Sequence, residues 1–328
     1  MSEEVSNNIT ADISKRYKGL WITILKIFIA GGLLTYLAFK VNITEILSAL
    51  RNANIPLILI TALLAFLNIY LQFLKWKITC RYILNEKNNK KIWLSLFYGF
   101  SGGVFTPARI GEYFGRAAAF KDKSLIKVAV ATFIDKIFPL MAVAGFGSLA
   151  SILFIHYYYH VSVYFTWSLF ILTFFLFYSG YNIALDPRFW NSVLFSRVNK
   201  SPRLKKIFDN LLILKELDRF YTTQMVLISI AFYACFILQY ALLTMAFSGH
   251  NNFFHYIWAG NLVMFAKTII PPISLGELGI REGASVFFLT MFGEVKSVGF
   301  NSSIFLFLIN MLIPSVIGLF LLLKKNDN

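Results

Sequence analysis

The sequence predicts an all-α polytopic membrane protein with six spans plus two re-entrant helical hairpins in an inverted repeat. Its composition is 58% hydrophobic and 17% aromatic but only 14% charged, whereas a soluble domain carries about 25% charged residues. Apolar runs of about 20 residues, long enough to cross ~30 Å of hydrocarbon as helix, recur along the chain. A polar pattern inside two apolar regions also occurs twice.

The repeated pattern is a proline, then a glycine–glutamate pair four residues later, then an arginine four residues after the glutamate. Its two copies are Pro107, Gly111, Glu112 and Arg116, and Pro272, Gly276, Glu277 and Arg281. The shift of 165 residues also carries Trp93 onto Trp258. Duplicated helix breaks and duplicated intramembrane charges are typical of transporters built from two structural repeats.

Six spans follow from the apolar runs, in a single membrane domain over residues 1–328. They lie at about 20–39, 55–76, 126–155, 161–181, 222–247 and 302–323. The first run resembles a signal peptide, but its length and the lack of a small-residue cleavage site favour an uncleaved span. Pro139 predicts a kink in the third span. Repeat 1 covers about 20–155 and repeat 2 about 161–323.

Positive charge orients these spans. If both motif regions return to the side they entered from, 22 of the 31 Lys and Arg residues fall on one side. On the other side, only Arg51 and Lys296 lie in the loops 41–54, 156–160, 248–255 and 293–301. Because Lys and Arg concentrate in cytoplasmic loops, we expect a multi-pass protein of the cytoplasmic (inner or plasma) membrane with both termini in the cytoplasm.

The same rule predicts the two hairpins. A full crossing by residues 92–120 would move Lys121, Lys123 and Lys127 outside, so a re-entrant hairpin is favoured. Residues 256–292 would enter from the opposite face, which makes the repeat inverted about an axis in the membrane plane. Residues 202–220 are basic and amphipathic, and two interpretations stay open: a helix on the cytoplasmic surface or a linker helix between the halves.

Among the charged residues inside apolar regions, where each costs about 2.5–3.5 kcal/mol on insertion scales, nine are candidates for a site. Five are positive and four negative: Arg109, Glu112, Arg116, Asp135, Lys136, Lys267, Glu277, Arg281 and Glu282. The slight positive excess, guanidinium geometry and free N–H groups at broken helix ends favour a cavity for an anionic group such as phosphate. The predicted breaks are Pro107, Gly111, Pro271, Pro272, Gly276 and Gly279.

Each of these residues also has a purely structural interpretation. Glu112–Arg116 and Glu277–Arg281 are i, i+4 pairs that would neutralise each other, so pairing and substrate contact both stay open. Arg109 and Arg281 are favoured as substrate contacts. Asp135 and Lys136 form either a proton relay or, the favoured option, a buried pair. The candidate substrate-binding set is Arg109, Glu112, Arg116, Lys267, Glu277, Arg281 and Glu282. We expect no metal site, no cofactor and no nucleic-acid partner.

The segments Gly102–Glu112 and Pro272–Gly283 resemble the lysylphosphatidylglycerol synthase transmembrane region, also called the flippase-like family, and the resemblance covers about residues 20–323. It implies transport of a lipid such as an anionic phospholipid or a polyprenyl-phosphate-linked lipid. The chain ends at Asn328, so we expect a stand-alone member without the aminoacyl-transferring domain of the fused synthases.

Three functions remain open. The first, which we favour, is a lipid transporter of the flippase type. The second is a membrane enzyme that acts on a lipid headgroup through an intramembrane glutamate. The third is a non-transporting scaffold for envelope enzymes. A homo-oligomer is compatible with each.

Overall fold

The computed structural model describes residues 43–104, 106, 109–185, 219–270 and 279–326, and these residues are helical with no β-strand. Five helical segments are long and apolar enough to cross a membrane: Ile55–Leu84, Leu125–Tyr159, Val163–Gly180, Arg219–Ser248 and Lys296–Lys324. They match the second to sixth predicted spans. The first predicted span lies outside the described residues, as does the amphipathic segment up to residue 218.

Eleven α-helices make up the described part of the chain, in the following order. They are α1 (Ile43–Arg51), α2 (Ile55–Thr79), α3 (Asn89–Val104), α4 (Gly111–Ala118), α5 (Leu125–Tyr159), α6 (Val163–Leu185), α7 (Arg219–Ser248), α8 (Phe253–Ile269), α9 (Ile280–Met291), α10 (Lys296–Phe307) and α11 (Ile313–Asn326). A π-helical turn extends α2 through Cys80–Leu84, and a second one, Leu308–Leu312, joins α10 to α11.

Local capping sets the start of two long spans. The side chain of Asn54 accepts a hydrogen bond from the Leu57 amide at the start of α2, and Ser124 does the same for Lys127 at the start of α5. Such caps satisfy amide groups that have no partner inside the helix. The predicted kink site, Pro139, lies within α5, which runs through it as one helix to Tyr159.

The first motif region is a helix, a break and a second helix. Across the break, the Thr106 hydroxyl donates to the Gly102 carbonyl and accepts from the Gly111 amide, each at 2.7 Å. A methyl group on Gly102 would overlap the Gly111 carbonyl, so glycine permits the close approach of α3 and α4. Lys91 and Asp122, at the two ends of this unit, form an ion pair at 3.6 Å. The two ends of the unit therefore lie close together.

The second motif region contains α8 and α9, on either side of residues 271–278, which lie outside the described residues. Gly279, with φ of +91°, precedes α9. Glu294 lies just after this unit and accepts a 2.6 Å hydrogen bond from Tyr256, which lies in the first turn of α8. The two ends of the unit thus also meet. Of the six predicted breaks, Gly111 is the first residue of α4 and Gly279 directly precedes α9, whereas Pro107, Pro271, Pro272 and Gly276 lie outside the described residues.

The 165-residue shift extends well beyond the motif. Shifted by this amount, Ile55–Leu84 becomes 220–249, one residue from the observed Arg219–Ser248. Helix α3 becomes 254–269, against Phe253–Ile269 for α8. Helix α5 becomes 290–324, against Lys296–Lys324 for α10 and α11 together. Within the described residues, these three helical segments of the first half therefore recur in the same order in the second half.

Packing between the halves is reciprocal. Helix α5 of the first half packs on α8 of the second, where the Trp258 indole donates to the Ala150 carbonyl at 2.9 Å. Helix α11 of the second half packs on α3 of the first, where the Ser101 hydroxyl donates to the Ser315 carbonyl at 2.6 Å. The last span of each half thus covers the hairpin of the other.

Equivalent helices α2 and α7 pack against each other in opposite directions. The Gln239 amide donates to the Thr61 carbonyl at 3.1 Å. Further along α2, the hydroxyls of Thr79 and Tyr221 lie 3.3 Å apart. The partner on α7 moves back along the chain as the residue on α2 moves forward, so the two helices are antiparallel.

Gly318→Ala tests the reciprocal packing. A methyl group there would overlap the Phe97 carbonyl and the Ser101 hydroxyl, and the backbone oxygen cannot move aside. We expect a loss of about 1–3 kcal/mol in stability, typical of overpacking, measured by thermal unfolding in detergent. The matched control is Gly180→Ala on α6, whose added methyl group meets nothing within 4 Å. Equal stability of the two variants would contradict the packing of α11 on α3.

Candidate functional site

A cluster of six charged side chains lies where α2, α4 and α5 meet beside the first hairpin break. Its members are Lys75, Arg109, Glu112, Arg116, Asp135 and Lys136. We refer to these six residues as the charged cluster. Each carboxylate is shared by at least two cations, so the cluster is one connected network rather than a set of separate ion pairs.

The inner part of the cluster is buried and fully cross-linked. The Asp135 carboxylate forms an ion pair with Lys75 Nζ at 2.8 Å and accepts a hydrogen bond from Arg116 Nη1 at 2.9 Å. Lys75 Nζ also donates to the Asp135 carbonyl at 2.6 Å. Arg116 Nη2 continues the chain to Glu112 Oε1 at 2.8 Å. These four side chains are almost inaccessible, which suits a structural brace between three helices.

Neighbouring groups hold Arg116 in place. Its guanidinium lies over the Trp76 ring, 4.2 Å from the centroid, in a cation–π contact. The Trp76 indole donates to the Ser95 hydroxyl at 3.2 Å, and that hydroxyl donates to the Arg116 carbonyl at 2.9 Å. A methyl group on Gly99 would strike the Arg116 side chain. Glycine at position 99 therefore provides the space that Arg116 occupies.

The outer part of the cluster is reachable. Glu112 Oε2 lies 2.9 Å from both Arg109 Nη2 and Lys136 Nζ. The side chains of Arg109 and Lys136 are 21% and 30% exposed, against 3–4% for Glu112 and Arg116. Lys136 also lies 4.8 Å from the centre of the Tyr113 ring. An incoming anion would therefore meet Arg109 and Lys136 first.

Arg109 takes an unusual backbone conformation. Its φ is +54°, in the left-handed region that L-residues other than Asn and Asp seldom adopt, at a cost of about 1–3 kcal/mol. The Arg109 amide donates to the Thr106 carbonyl, and the Arg109 carbonyl accepts from the Glu112 amide. This turn directs the guanidinium to Glu112. Arg109 Nε is buried, with no acceptor among the described residues.

An apolar groove of about 420 Å³ lies next to the reachable cations. It runs between α4 and α5 and is lined by Tyr113, Phe114, Leu125, Ile126, Ala129, Val130 and Phe133. Tyr113 connects the two features, because its ring contacts Lys136 and also lines the groove. Charged donors beside an apolar groove match an amphiphile with an anionic head.

The corresponding region of the second half is closed. Arg281 is 2% exposed; its Nε donates to Ser303 at 2.9 Å and its Nη2 to Glu282. The guanidinium also lies 5.2 Å from the centre of the Phe307 ring. The other oxygen of Glu282 accepts from the Gly279 amide at 2.6 Å. These contacts brace the start of α9, and they leave Arg281 little access to a ligand.

The structure brings together five of the sequence-predicted residues: Arg109, Glu112, Arg116, Asp135 and Lys136. The ion pair expected between Glu112 and Arg116 is present. The favoured pairing of Asp135 with Lys136 is wrong, because Asp135 pairs with Lys75 and Arg116. Consecutive residues on a helix point about 100° apart, so these two side chains reach different partners.

The remaining predicted residues belong to the second half. Arg281 and Glu282 form the closed arrangement above, and substrate contact by Arg281 stays a prediction that this geometry does not favour. Lys267 lies in the last turn of α8 and is partly buried. Glu277, with its expected pairing to Arg281, lies outside the described residues.

The sequence analysis did not include Lys75 among the candidate site residues, because it lies near the end of the predicted second span at 55–76, where a lysine is usually exposed at the membrane surface. The lysine is instead buried in α2. The predicted second span ended at residue 76, because the apolar content of the sequence falls beyond Trp76. The available signal was the helical spacing of Asn68, Gln72 and Lys75, which share one face of α2.

Asp135→Asn tests the brace. Removal of this carboxylate leaves Lys75 without a buried counter-charge and Arg116 with Glu112 alone, so we expect a loss of about 3–5 kcal/mol in stability. The double variant with Lys75→Gln should lose less than the sum of the single losses, with a coupling of about 1–3 kcal/mol. Thermal unfolding in detergent measures both. The control Asp122→Asn removes an exposed carboxylate and should leave the stability nearly unchanged. Strict additivity of the Lys75 and Asp135 losses would exclude the brace.

Comparison with known protein families matches residues 23–318 to the family described as lysylphosphatidylglycerol synthase TM region. The match covers most of the chain and both motif regions. A search of curated proteins finds no match. The chain belongs to the lysylphosphatidylglycerol synthase transmembrane region family, and it is a multi-pass membrane protein of a lipid-related family.

Proposed function

We propose that this family member is a membrane lipid transporter of the flippase type, which moves a phosphate-bearing lipid between the leaflets. The observation that carries the proposal is the position of Arg109 and Lys136, two reachable cations, beside the apolar groove between α4 and α5. The cations would bind the headgroup phosphate, and the groove would hold the first part of an acyl or isoprenoid chain.

Charge supports an anionic headgroup. The charged cluster contains four cations and two carboxylates. Charges at membrane depth are costly and normally paired, so the two outer cations favour a negatively charged ligand. Arg109 Nε adds a buried donor that has no acceptor among the described residues. A phosphate oxygen would satisfy it with a charge-assisted hydrogen bond.

The arrangement of the two halves supports movement between leaflets. Helices α2 and α7 are equivalent under the 165-residue shift and run antiparallel. A two-fold axis that relates two antiparallel helices must be perpendicular to them. Because both helices are long enough to span the membrane, this axis would lie in the membrane plane. The repeat would then be inverted, as in transporters that open alternately to each side.

The contacts at the hairpin ends support re-entrant hairpins. The ion pair of Lys91 with Asp122 joins the ends of the first unit, and the hydrogen bond of Tyr256 with Glu294 joins those of the second. In an inverted repeat these two units would enter from opposite faces. With the distribution of Lys and Arg, the first hairpin would start from the cytoplasm, and both chain termini would be cytoplasmic.

The two halves of the protein would then have different roles. The open first-half cluster would bind the headgroup, whereas the closed contacts of Arg281 with Glu282 and Ser303 would keep the second hairpin rigid. We favour a transporter over an enzyme because both carboxylates of the charged cluster are occupied by cations and neither is free to act as an acid or base.

Lipid binding and flipping test this function directly. Arg109→Ala and Lys136→Gln each remove one headgroup donor, so both variants should lose a co-purifying phosphate-bearing lipid, detected by mass spectrometry. Both should also flip a fluorescent analogue of that lipid more slowly in liposomes, by about tenfold or more if one charge-assisted hydrogen bond is lost. The control Arg81→Gln alters an exposed cation outside the cluster.

The outcomes separate the three functions. If the wild type and both variants co-purify only bulk membrane lipid, and if none of them flips lipid in liposomes, the scaffold function would be favoured. A chemically altered headgroup after incubation, abolished by Glu112→Gln, would favour an enzyme. Either result would overturn the transporter proposal.

Single cysteines test the inverted, re-entrant topology. Cysteines at exposed positions Lys87 and Lys121, on either side of the first hairpin, should react with a membrane-impermeant maleimide from the same face. Cysteines at the exposed positions Asn251 and Lys296, around the second hairpin, should react from the opposite face. The two native cysteines are buried, so background labelling should be low. Labelling of Lys87→Cys and Lys121→Cys from opposite faces would exclude a re-entrant first hairpin.

A further inference from the structure

The net charge of the charged cluster restricts its ligand further. Its four cations, Lys75, Arg109, Arg116 and Lys136, face two carboxylates, those of Glu112 and Asp135. With all six groups ionised, the described part of the site carries two unbalanced positive charges. A phosphodiester headgroup has one negative charge and would leave one of the two positive charges unbalanced. A phosphate monoester approaches two negative charges at neutral pH and would balance the cluster.

The spacing of the outer cations suits a single phosphate group. Arg109 Nη2 and Lys136 Nζ each lie 2.9 Å from the same atom, Glu112 Oε2. They therefore lie within twice that distance of each other, which is close enough for two oxygens of one phosphate to reach both. The buried N–H group at Arg109 Nε, which has no acceptor among the described residues, provides a third donor. A monoester presents three terminal oxygens, whereas a diester presents two.

The groove indicates how the phosphate is attached. Tyr113 contacts Lys136 and lines the groove, so an apolar chain bonded to the phosphate would enter the groove directly. Free phosphate would satisfy the same cations but would leave the groove unused. The phosphate would therefore belong to a lipid.

We propose that the ligand of the charged cluster is a lipid with a terminal phosphate monoester, bound as the dianion by Arg109 and Lys136 with its chain in the α4–α5 groove. This inference rests on the proposed function and names its substrate class. Electrostatic balance excludes neutral headgroups and ranks diesters below monoesters.

Binding of chain-matched lipids to the purified full-length protein tests the class. Dioleoyl phosphatidic acid is the monoester probe, and dioleoyl phosphatidylglycerol is the diester control with identical chains. Native mass spectrometry in detergent should show about tenfold tighter binding of the monoester, the equivalent of one charge-assisted contact. The preference should fall as the pH drops through about 6, where a phosphate monoester takes up its second proton, whereas diester binding should change little. Equal affinity at neutral pH would overturn the proposal.

Matched variants assign the preference to the site. Lys136→Gln and Arg109→Gln should each reduce the monoester-to-diester ratio towards one, while Arg81→Gln, at an exposed position, should keep the wild-type ratio. Two variants are used so that the proposal can still be tested if one of them fails to fold. A ratio that persists in both Gln variants would overturn the assignment.

Inorganic phosphate separates the two sources of the dianion. Millimolar phosphate should displace little phosphatidic acid, because it gains nothing from the groove. Displacement at concentrations equal to those of the lipid would indicate a site for free phosphate and would overturn the lipid assignment. The Phe133→Ser variant, which is altered in the groove, should bind phosphatidic acid more weakly than the wild type and should bind inorganic phosphate equally well.

Flipping assays keep this inference distinct from the proposed function. Tight, selective binding of the monoester without any lipid movement in liposomes would support the ligand class and overturn the transporter. Equal binding and equal flipping of phosphatidylglycerol would support the transporter and overturn the monoester.

Discussion

The ion pairs of Asp135 are the interaction on which this arrangement depends. This carboxylate joins Lys75 of α2 and Arg116 of α4 to its own helix, α5. Because an isolated charge is very costly in an apolar bundle, none of these helices can shift without leaving a buried charge exposed to hydrocarbon. The brace therefore holds the first hairpin against two spans, and the reachable part of the cluster, Arg109 and Lys136, is built on that fixed base.

The two halves share a framework but differ in chemistry. The 165-residue shift carries Arg116 onto Arg281, and both arginines are buried. It carries Asp135 onto Phe300 and Lys75 onto Tyr240, so the described residues of the second half have no brace at the equivalent positions. Arg281 instead bonds its own neighbour Glu282 and Ser303 of α10. Among the described residues, the accessible cluster with excess positive charge therefore lies in the first half.

Element lengths and motif positions could be predicted because they depend on local properties. Five spans, the two helix–break–helix units and the Glu112–Arg116 pair follow from apolar run length, from glycine and from helical spacing. The pairing of Asp135 with Lys136 was predicted wrongly, because adjacency in sequence does not give adjacency on a helix. Lys75 was missed because a lysine at the end of an apolar run is usually exposed at the membrane surface.

By itself the sequence determined the membrane class, the family resemblance and the five described spans, since each is a matter of composition, motif or apolar run length along the chain. Only the tertiary structure decided which charges meet. It joined Lys75 to Asp135 across 60 residues, placed the reachable cations beside a groove between α4 and α5, and closed the surroundings of Arg281. Ion-pair partners and grooves arise from the packing of helices distant in sequence, and that packing depends on the summed contacts of whole faces, which no local pattern specifies.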